Sequence, residues 1–227
     1  MFIGHFAAGF AGRRLTPRVS LGTWILAVQW LDLLWPVLLL AGLEHVRIDP
    51  GNTPVTPLDF YDYPFSHSLL WVAGWSVAFG LTHWLRRRDR VAAALLAAGV
   101  ASHWILDFVS HGPDLPASPS GPYLGLGLWR SVAATALVES AIFAGAVAWY
   151  SRATRPVDRT GRYAWWALVA FLYVIYLGNL FGPPPPDVSA LAYTALAAWL
   201  FVAWGYWIGS HRAGRSDVES TRPVAHV

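Results

Sequence analysis

Six runs of about 20 predominantly apolar residues, at about 20–43, 66–85, 91–112, 127–150, 163–182 and 189–210, dictate what this chain can fold into. Each is long enough to cross a hydrocarbon core as a helix. The expected fold is all-α, a polytopic membrane helical bundle of about six transmembrane helices. Composition agrees, because 56% of the residues are hydrophobic and 13% charged, against roughly a quarter charged in ordinary soluble domains. The first twelve residues, MFIGHFAAGFAG, are apolar but too short to span and lack the basic start and cleavage site of a signal peptide. They read as a half-membrane helix, which is tolerated at that depth only where protein or a water-filled cavity covers its end. Residues 1–210 form one membrane-embedded domain in this reading, and the polar residues from 211 to 227 a disordered cytoplasmic tail.

The connecting segments alternate in charge. All sixteen basic residues are arginine, and fourteen fall in the alternate segments that hold Arg13, Arg86, Arg152 and Arg212, leaving Arg47 and Arg130 for the opposite side. That asymmetry predicts a cytoplasmic C-terminus in an inner (plasma) membrane. It also explains the net charge of +3 without a nucleic-acid partner. The opposite loops, EHVRIDPGNTPVTPLDFYDYP, GPDLPASPSGPY and GPPPPDV, are acidic and rich in turn formers, and read as structured lids. No lysine and no cysteine is present. Schiff-base and lysine-base mechanisms are therefore excluded, and any metal must be held by nitrogen and oxygen donors.

His103, Asp107 and His111 stand four residues apart in GVASHWILDFVSHG, so a continuous helix puts all three on one face. Ionisable groups in hydrocarbon cost several kcal/mol unless paired, hydrated or coordinated. Counted at about 1.5 Å per residue, Asp32, His103, Glu139 and His5 reach similar depths from four separate segments. Asp107 and His111 continue from there toward the outer face, where His67 opens the second run. A divalent cation, zinc first and manganese or iron next, accounts for imidazoles and carboxylates gathered in this way, and positions i and i+4 can both reach one ion. Glu139 is the natural general acid or base beside it. A single such residue can equally be a hydrogen-bond anchor between helices, and Asp32 could pair with Arg130. Gln29 reads as a partner that orients a ligand. His45, His83, His211 and His226 carry no assigned role.

GHFAAGF, the acid in QWLDLLWP, FSHSLL and ASHWILDFVSHGPDLP together resemble the LexA-regulated, inner-membrane family of metal-dependent hydrolases. That family typically shows an N-terminal Gly-His, an Asp-rich segment after the first long span, a Thr-His-Ser-Leu motif and Ser-His-x-x-x-Asp before a Pro/Gly turn. The resemblance covers roughly the first 140 residues, through Glu139. It implies metal-site roles for His5, Asp32, His67, His103 and Asp107. The set is also distantly similar to zinc-dependent phospholipase C. Two departures stand out: Asp32 is followed by Leu33 and Leu34 where the family often has a second acid, and Asp62, Tyr63, Pro64 and Phe65 stand where it often has His-Arg. They point to one ion, or to two with His111 and Glu139 supplying the deficit.

The expected activity is hydrolysis of an ester or phosphoester in a membrane lipid or lipid-linked substrate. His111 and Glu139 would be catalytic, Arg130 would hold a phosphate, and the site would open to the outer face. A proton- or ion-coupled transporter with a buried His/Asp/Glu relay is the alternative, and a non-catalytic protein with a structural metal the third reading.

Overall fold

A computed structural model describes residues 1–214. Within them the chain is a bundle of α-helices whose ends are fixed by local capping. The Ser20 hydroxyl accepts from the Thr23 amide at the head of α2 (Leu21–Val28), which is followed directly by α3 (Trp30–Leu40). Ser68, Asp89 and Ser131 cap α5 (Leu69–Arg87), α6 (Arg90–Ser110) and α7 (Val132–Ala153) in the same way. Asp158 and Asp187 do so for α8 (Arg159–Phe181) and α9 (Val188–Leu196), which continues into α10 (Ala198–Ser210). Such oxygens satisfy amides that have no partner inside the helix, so each serine or aspartate sets a boundary.

The expected count of about six spans is not what these helices give. Among the described residues, four stretches are long and apolar enough to cross a membrane: Arg90–Ser110, Val132–Ala153, Arg159–Phe181 and Val188–Ser210. The run at 20–43 is broken at Gln29, where α2 and α3 bend by 55°, and it adds a fifth only if the pair counts as one span. The run at 66–85 becomes the 19-residue α5, whose tryptophans, Gly74, Ser76, Thr82, His83 and terminal arginines dilute its hydropathy below that of the others. The apolar flanks are compatible with a membrane protein, since Val77, Leu137, Val174 and Leu200 are 64–73% exposed.

The N-terminal helix α1 (Ile3–Leu15) has 13 residues and does not span. It is buried among α2, α6, α7 and α8. Phe6 and Phe10 lie in one apolar cluster with Tyr150, Trp165 and Phe201. A second cluster gathers Trp24, Val28, Leu31, Leu96, Val100 and Trp104 along α2, α3 and α6.

The connections at one end of the bundle are folded. Strands β1 (His45–Ile48) and β2 (Leu58–Asp62) form an antiparallel hairpin, and a single turn, α4 (Pro64–His67), follows it. Strands β3 (Leu115–Pro116) and β4 (Tyr123–Leu124) pair beside it, and the Tyr63 hydroxyl donates to the carbonyl of Asp114. At another connection β5 (Thr154–Pro156) pairs with β6 (Arg212–Gly214), and the buried Arg212 guanidinium donates to Thr154 and to the Gly161 carbonyl. Residues 211–214 of the expected tail are therefore part of the fold, because Arg212 needs those acceptors once buried. The rest of that tail, 215–227, lies outside the described residues.

Helix α10 approaches α2 through two glycines. A Cβ on Gly205 would stand 2.9 Å from the Cα of Gly22 and 2.7 Å from Ile25 Cδ1. Small residues let helix backbones approach this closely, and backbone cannot move aside as a flexible side chain does. Gly205→Val should destabilise the purified protein by about 1–3 kcal/mol, read as an earlier unfolding transition in detergent. An unchanged transition would mean that the two helices separate at little cost.

Candidate metal centre

Four elements deliver the cluster. Helix α1 carries His5, α3 carries Asp32 in its first turn, α4 ends on His67, and α6 carries His103 and Asp107 one turn apart. His5, His67, His103 and Asp107 are buried, while the Asp32 side chain keeps 36% exposure. The five residues expected from the sequence as metal-site residues are thus brought together by the fold.

Donor atoms face one another at short range. His103 Nε2 lies 3.2 Å from Asp107 Oδ2 and 3.5 Å from Asp32 Oδ1. His67 Nε2 lies 3.6 Å from Asp32 Oδ1 and 3.8 Å from Asp107 Oδ2. Ligands held about 2.0–2.1 Å from a tetrahedral ion stand about 3.3–3.4 Å from one another. The four separations bracket that edge length. His5, His103 and Asp107 form one group able to hold an ion, and Asp32, His67 and His103 another. His103 Nε2 is buried and makes no well-formed hydrogen bond, although carboxylate oxygens of Asp107 and Asp32 lie 3.2 and 3.5 Å away. A buried nitrogen without a well-formed hydrogen bond beside two carboxylates is a candidate metal ligand.

The rest of each ring is tied down. His103 Nδ1 is 2.7 Å from the carbonyl of Val28, which can only accept, so Nδ1 carries a hydrogen and, in the neutral ring, the lone pair lies on Nε2. That carbonyl is available because the helix breaks at Gln29. His103 therefore has a single donor atom and can serve a single ion at a time. His5 stacks on His103 with ring centroids 3.6 Å apart, and its Nε2 is 3.0 Å from Asp107 Oδ1. The Met1 amine is 2.6 Å from the same oxygen. One Asp107 oxygen is thereby occupied by His5 and Met1, and the other faces His67 and His103.

The remaining sequence-predicted site residues are placed differently. His111 does not continue the face of His103 and Asp107, since α6 ends at Ser110 and His111 adopts an extended backbone, φ −63° and ψ 153°. Pro113, two residues on, follows the helix end as expected of a residue that cannot continue it. His111 Nδ1 instead lies 3.2 Å from Asp114 Oδ1 and 3.5 Å from the Tyr63 hydroxyl, with Trp129 packed on its ring. Burial, and then the Asp114 charge, lifts the Tyr63 phenol well above the ordinary tyrosine range. Glu139 is buried on α7, and its Oε2 accepts from the amides of Phe2 and Gly4 at 2.9 and 3.3 Å. It caps α1 from a neighbouring helix. Arg130 is exposed in a short 3-10 turn, Leu128–Arg130. Asp32 has His67 and His103 as its partners rather than Arg130. The Gln29 side-chain oxygen is buried without a hydrogen-bond partner. His45 and His211 pair with Asp62 and Asp158.

Two residues without a sequence-level role stand behind His67. Ser66 Oγ is 2.6 Å from His67 Nδ1, and both the hydroxyl and the amide of Ser66 donate to the Glu44 carboxylate at 2.7 Å. Glu44 and Ser66 are almost fully buried. Burial pushes the Glu44 carboxyl above its usual range, and the Ser66 hydrogen bonds oppose that rise. The serine preceding the histidine in FSHSLL was a visible signal. Glu44, 22 residues away in sequence from Ser66, gave none.

Comparison of the chain with protein-family models, with curated proteins and with solved structures finds no match. Fold and site are therefore read from this chain alone.

If Glu139 caps α1 and thereby seats His5, Glu139→Ala should cost about 0.5–2 kcal/mol of stability. Glu139→Gln keeps an acceptor oxygen and should cost less. Chemical denaturation of both variants in detergent checks the order, and equal losses would contradict the capping role.

Proposed function

We propose that the chain is a membrane-embedded, metal-dependent hydrolase that cleaves an ester or phosphoester of a lipid or lipid-linked substrate. The observation that carries the reading is the triad Asp32, His67 and His103, whose donor atoms lie within 4.8 Å of one another, with Asp107 Oδ2 3.2 Å from His103 Nε2 and 3.8 Å from His67 Nε2. Two carboxylates and two neutral imidazoles offset a divalent charge and suit zinc, with manganese or iron as other occupants. Such an ion, when bound, polarises a carbonyl or phosphoryl oxygen and acidifies water toward neutral pH.

The chain's own groups do the rest. His103 is fixed by the Val28 carbonyl with its lone pair inward. His5 holds the second oxygen of Asp107, so that carboxylate turns one oxygen toward the donor set. Asp32 is the partly exposed member and marks the side from which substrate and water reach the donors. A single ion is favoured over two, because His103 has one free nitrogen while Glu139 and His111 are engaged elsewhere. This leaves Glu139, His111 and Arg130 without an assigned catalytic or substrate contact. The resemblance of the first 140 residues to the LexA-regulated inner-membrane hydrolases supports the same reading. With α5 counted as a crossing helix, the arginine asymmetry supports an inner-membrane protein with a cytoplasmic C-terminus and a site facing the outer side.

A second reading, an ion- or proton-coupled transporter, is favoured by one observation. The 55° break between α2 and α3 sits three residues before Asp32, and interrupted helices at buried charges are a transporter trait. Chelator-sensitive release of a lipid headgroup in vesicles supports hydrolysis, and chelator-insensitive flux supports transport.

Purified protein should hold close to one divalent ion per chain by elemental analysis. His103→Ala and Asp107→Ala should abolish binding. His5→Ala, which removes the imidazole that holds the second oxygen of Asp107, should weaken affinity roughly 10–100-fold. Ion content unchanged in all three variants would refute the site.

A further inference from the structure

Behind His67 a hydrogen-bonded chain runs away from the donor set, and nothing in the proposed chemistry yet uses it. Glu44 follows the turn that closes α3 and is 1% exposed, Ser66 is 0% exposed, and the two are hydrogen-bonded to each other behind His67. A buried carboxylate is costly unless its oxygens are satisfied. Here one oxygen takes the Ser66 amide and the other the Ser66 hydroxyl, each at 2.7 Å. The same hydroxyl oxygen is 2.6 Å from His67 Nδ1.

With Glu44 ionised and the His67 ring neutral, proton counting gives this chain a direction. A serine hydroxyl has one hydrogen, and a carboxylate only accepts. With that hydrogen given to Glu44, Ser66 Oγ can only accept from His67, so Nδ1 must carry the ring hydrogen. The His67 lone pair then resides on Nε2, which is the nitrogen facing Asp32 and Asp107 at 3.6 and 3.8 Å. Reversing the chain would put the ring hydrogen on Nε2, where it would block coordination.

We propose that Glu44 is a positioning residue that, through Ser66, sets the tautomer of His67 and so presents Nε2 to the divalent ion. The inference rests on the metal reading above and adds a carboxylate–serine–histidine relay to it. Metal-bound histidines are commonly oriented by a carboxylate or carbonyl on their other nitrogen. His103 meets the Val28 carbonyl, and His67 meets Glu44 with a hydroxyl interposed.

Glu44→Gln tests the relay at almost constant shape. The amide has one acceptor and one donor edge, so accepting from the Ser66 amide turns its NH2 onto Ser66 Oγ. The serine hydrogen is then redirected to His67 Nδ1. Zinc affinity, measured on the detergent-purified full chain by competition with a chromophoric chelator, should fall roughly 10–100-fold in Glu44→Gln and in Ser66→Ala. The unfolding transition of Ser66→Ala, which removes only a hydroxyl, separates this from loss of fold.

A spectroscopic readout reports the relay without activity or bound ion. In 15N-histidine-labelled protein, assigned with His67→Asn, the wild type should show a His67 Nδ1–H resonance. Ion-free Glu44→Gln should lack it. Affinity within threefold of wild type in both variants, or an unprotonated His67 Nδ1 in the wild type, would overturn the relay while leaving the metal centre standing. Wild-type protein that takes up no zinc would defeat the metal reading, and the Nδ1–H comparison would still decide the relay.

Discussion

Two carboxylates, Asp32 and Asp107, face the same pair of imidazoles inside a bundle whose outer flanks are apolar. Charge removed from water is expensive, and like charges brought together compound that cost. Much of the local architecture can be read as the means of meeting it. Helix α1 is buried so that His5 reaches Asp107, α3 begins afresh at Trp30 so that Asp32 enters from a new direction, and α4 is a separate turn ending on His67. The proposed cation completes the balance that the imidazoles begin.

The site is held from behind by groups of different kinds. A main-chain carbonyl exposed by a helix break holds His103, a buried acid acting through a serine holds His67, and His5 holds the far oxygen of Asp107. Glu139 works one step further out, by capping the helix that carries His5. Each device spends a polar group that could otherwise have served chemistry. Glu139 and His111 are in that position, one on the amides of α1 and the other against Asp114 and Tyr63.

What was legible in the sequence follows from how local each signal was. The four-residue spacing of His103 and Asp107 needs only a helix to become a shared face, and α6 supplies it. The apolar runs announced helices, and the short N-terminal run, too brief to span, was read as a half-membrane helix; α1 is a 13-residue helix that does not span. Depth counting brought Asp32 and His5 to His103, because rise per residue is nearly constant along each segment. The same counting brought Glu139 to that depth, where its carboxylate meets the amides of Phe2 and Gly4. At His111 the face ended with the helix, and Pro113 was the available warning. The break at Gln29 has no proline or glycine at the bend, so the 20–43 run looked continuous. Glu44 and Ser66 meet through folding of the hairpin between them, which no spacing rule conveys.

X-ray absorption at the zinc K-edge of zinc-loaded protein tests the proposed centre most directly. An ion held by Asp32, His67, His103 and Asp107 requires nitrogen and oxygen neighbours at about 2.0–2.1 Å, with outer-shell scattering from two imidazole rings. That pattern should drop to one ring in His67→Ala. A spectrum without imidazole scattering, or one identical in His67→Ala and His103→Ala to the wild type, would contradict it.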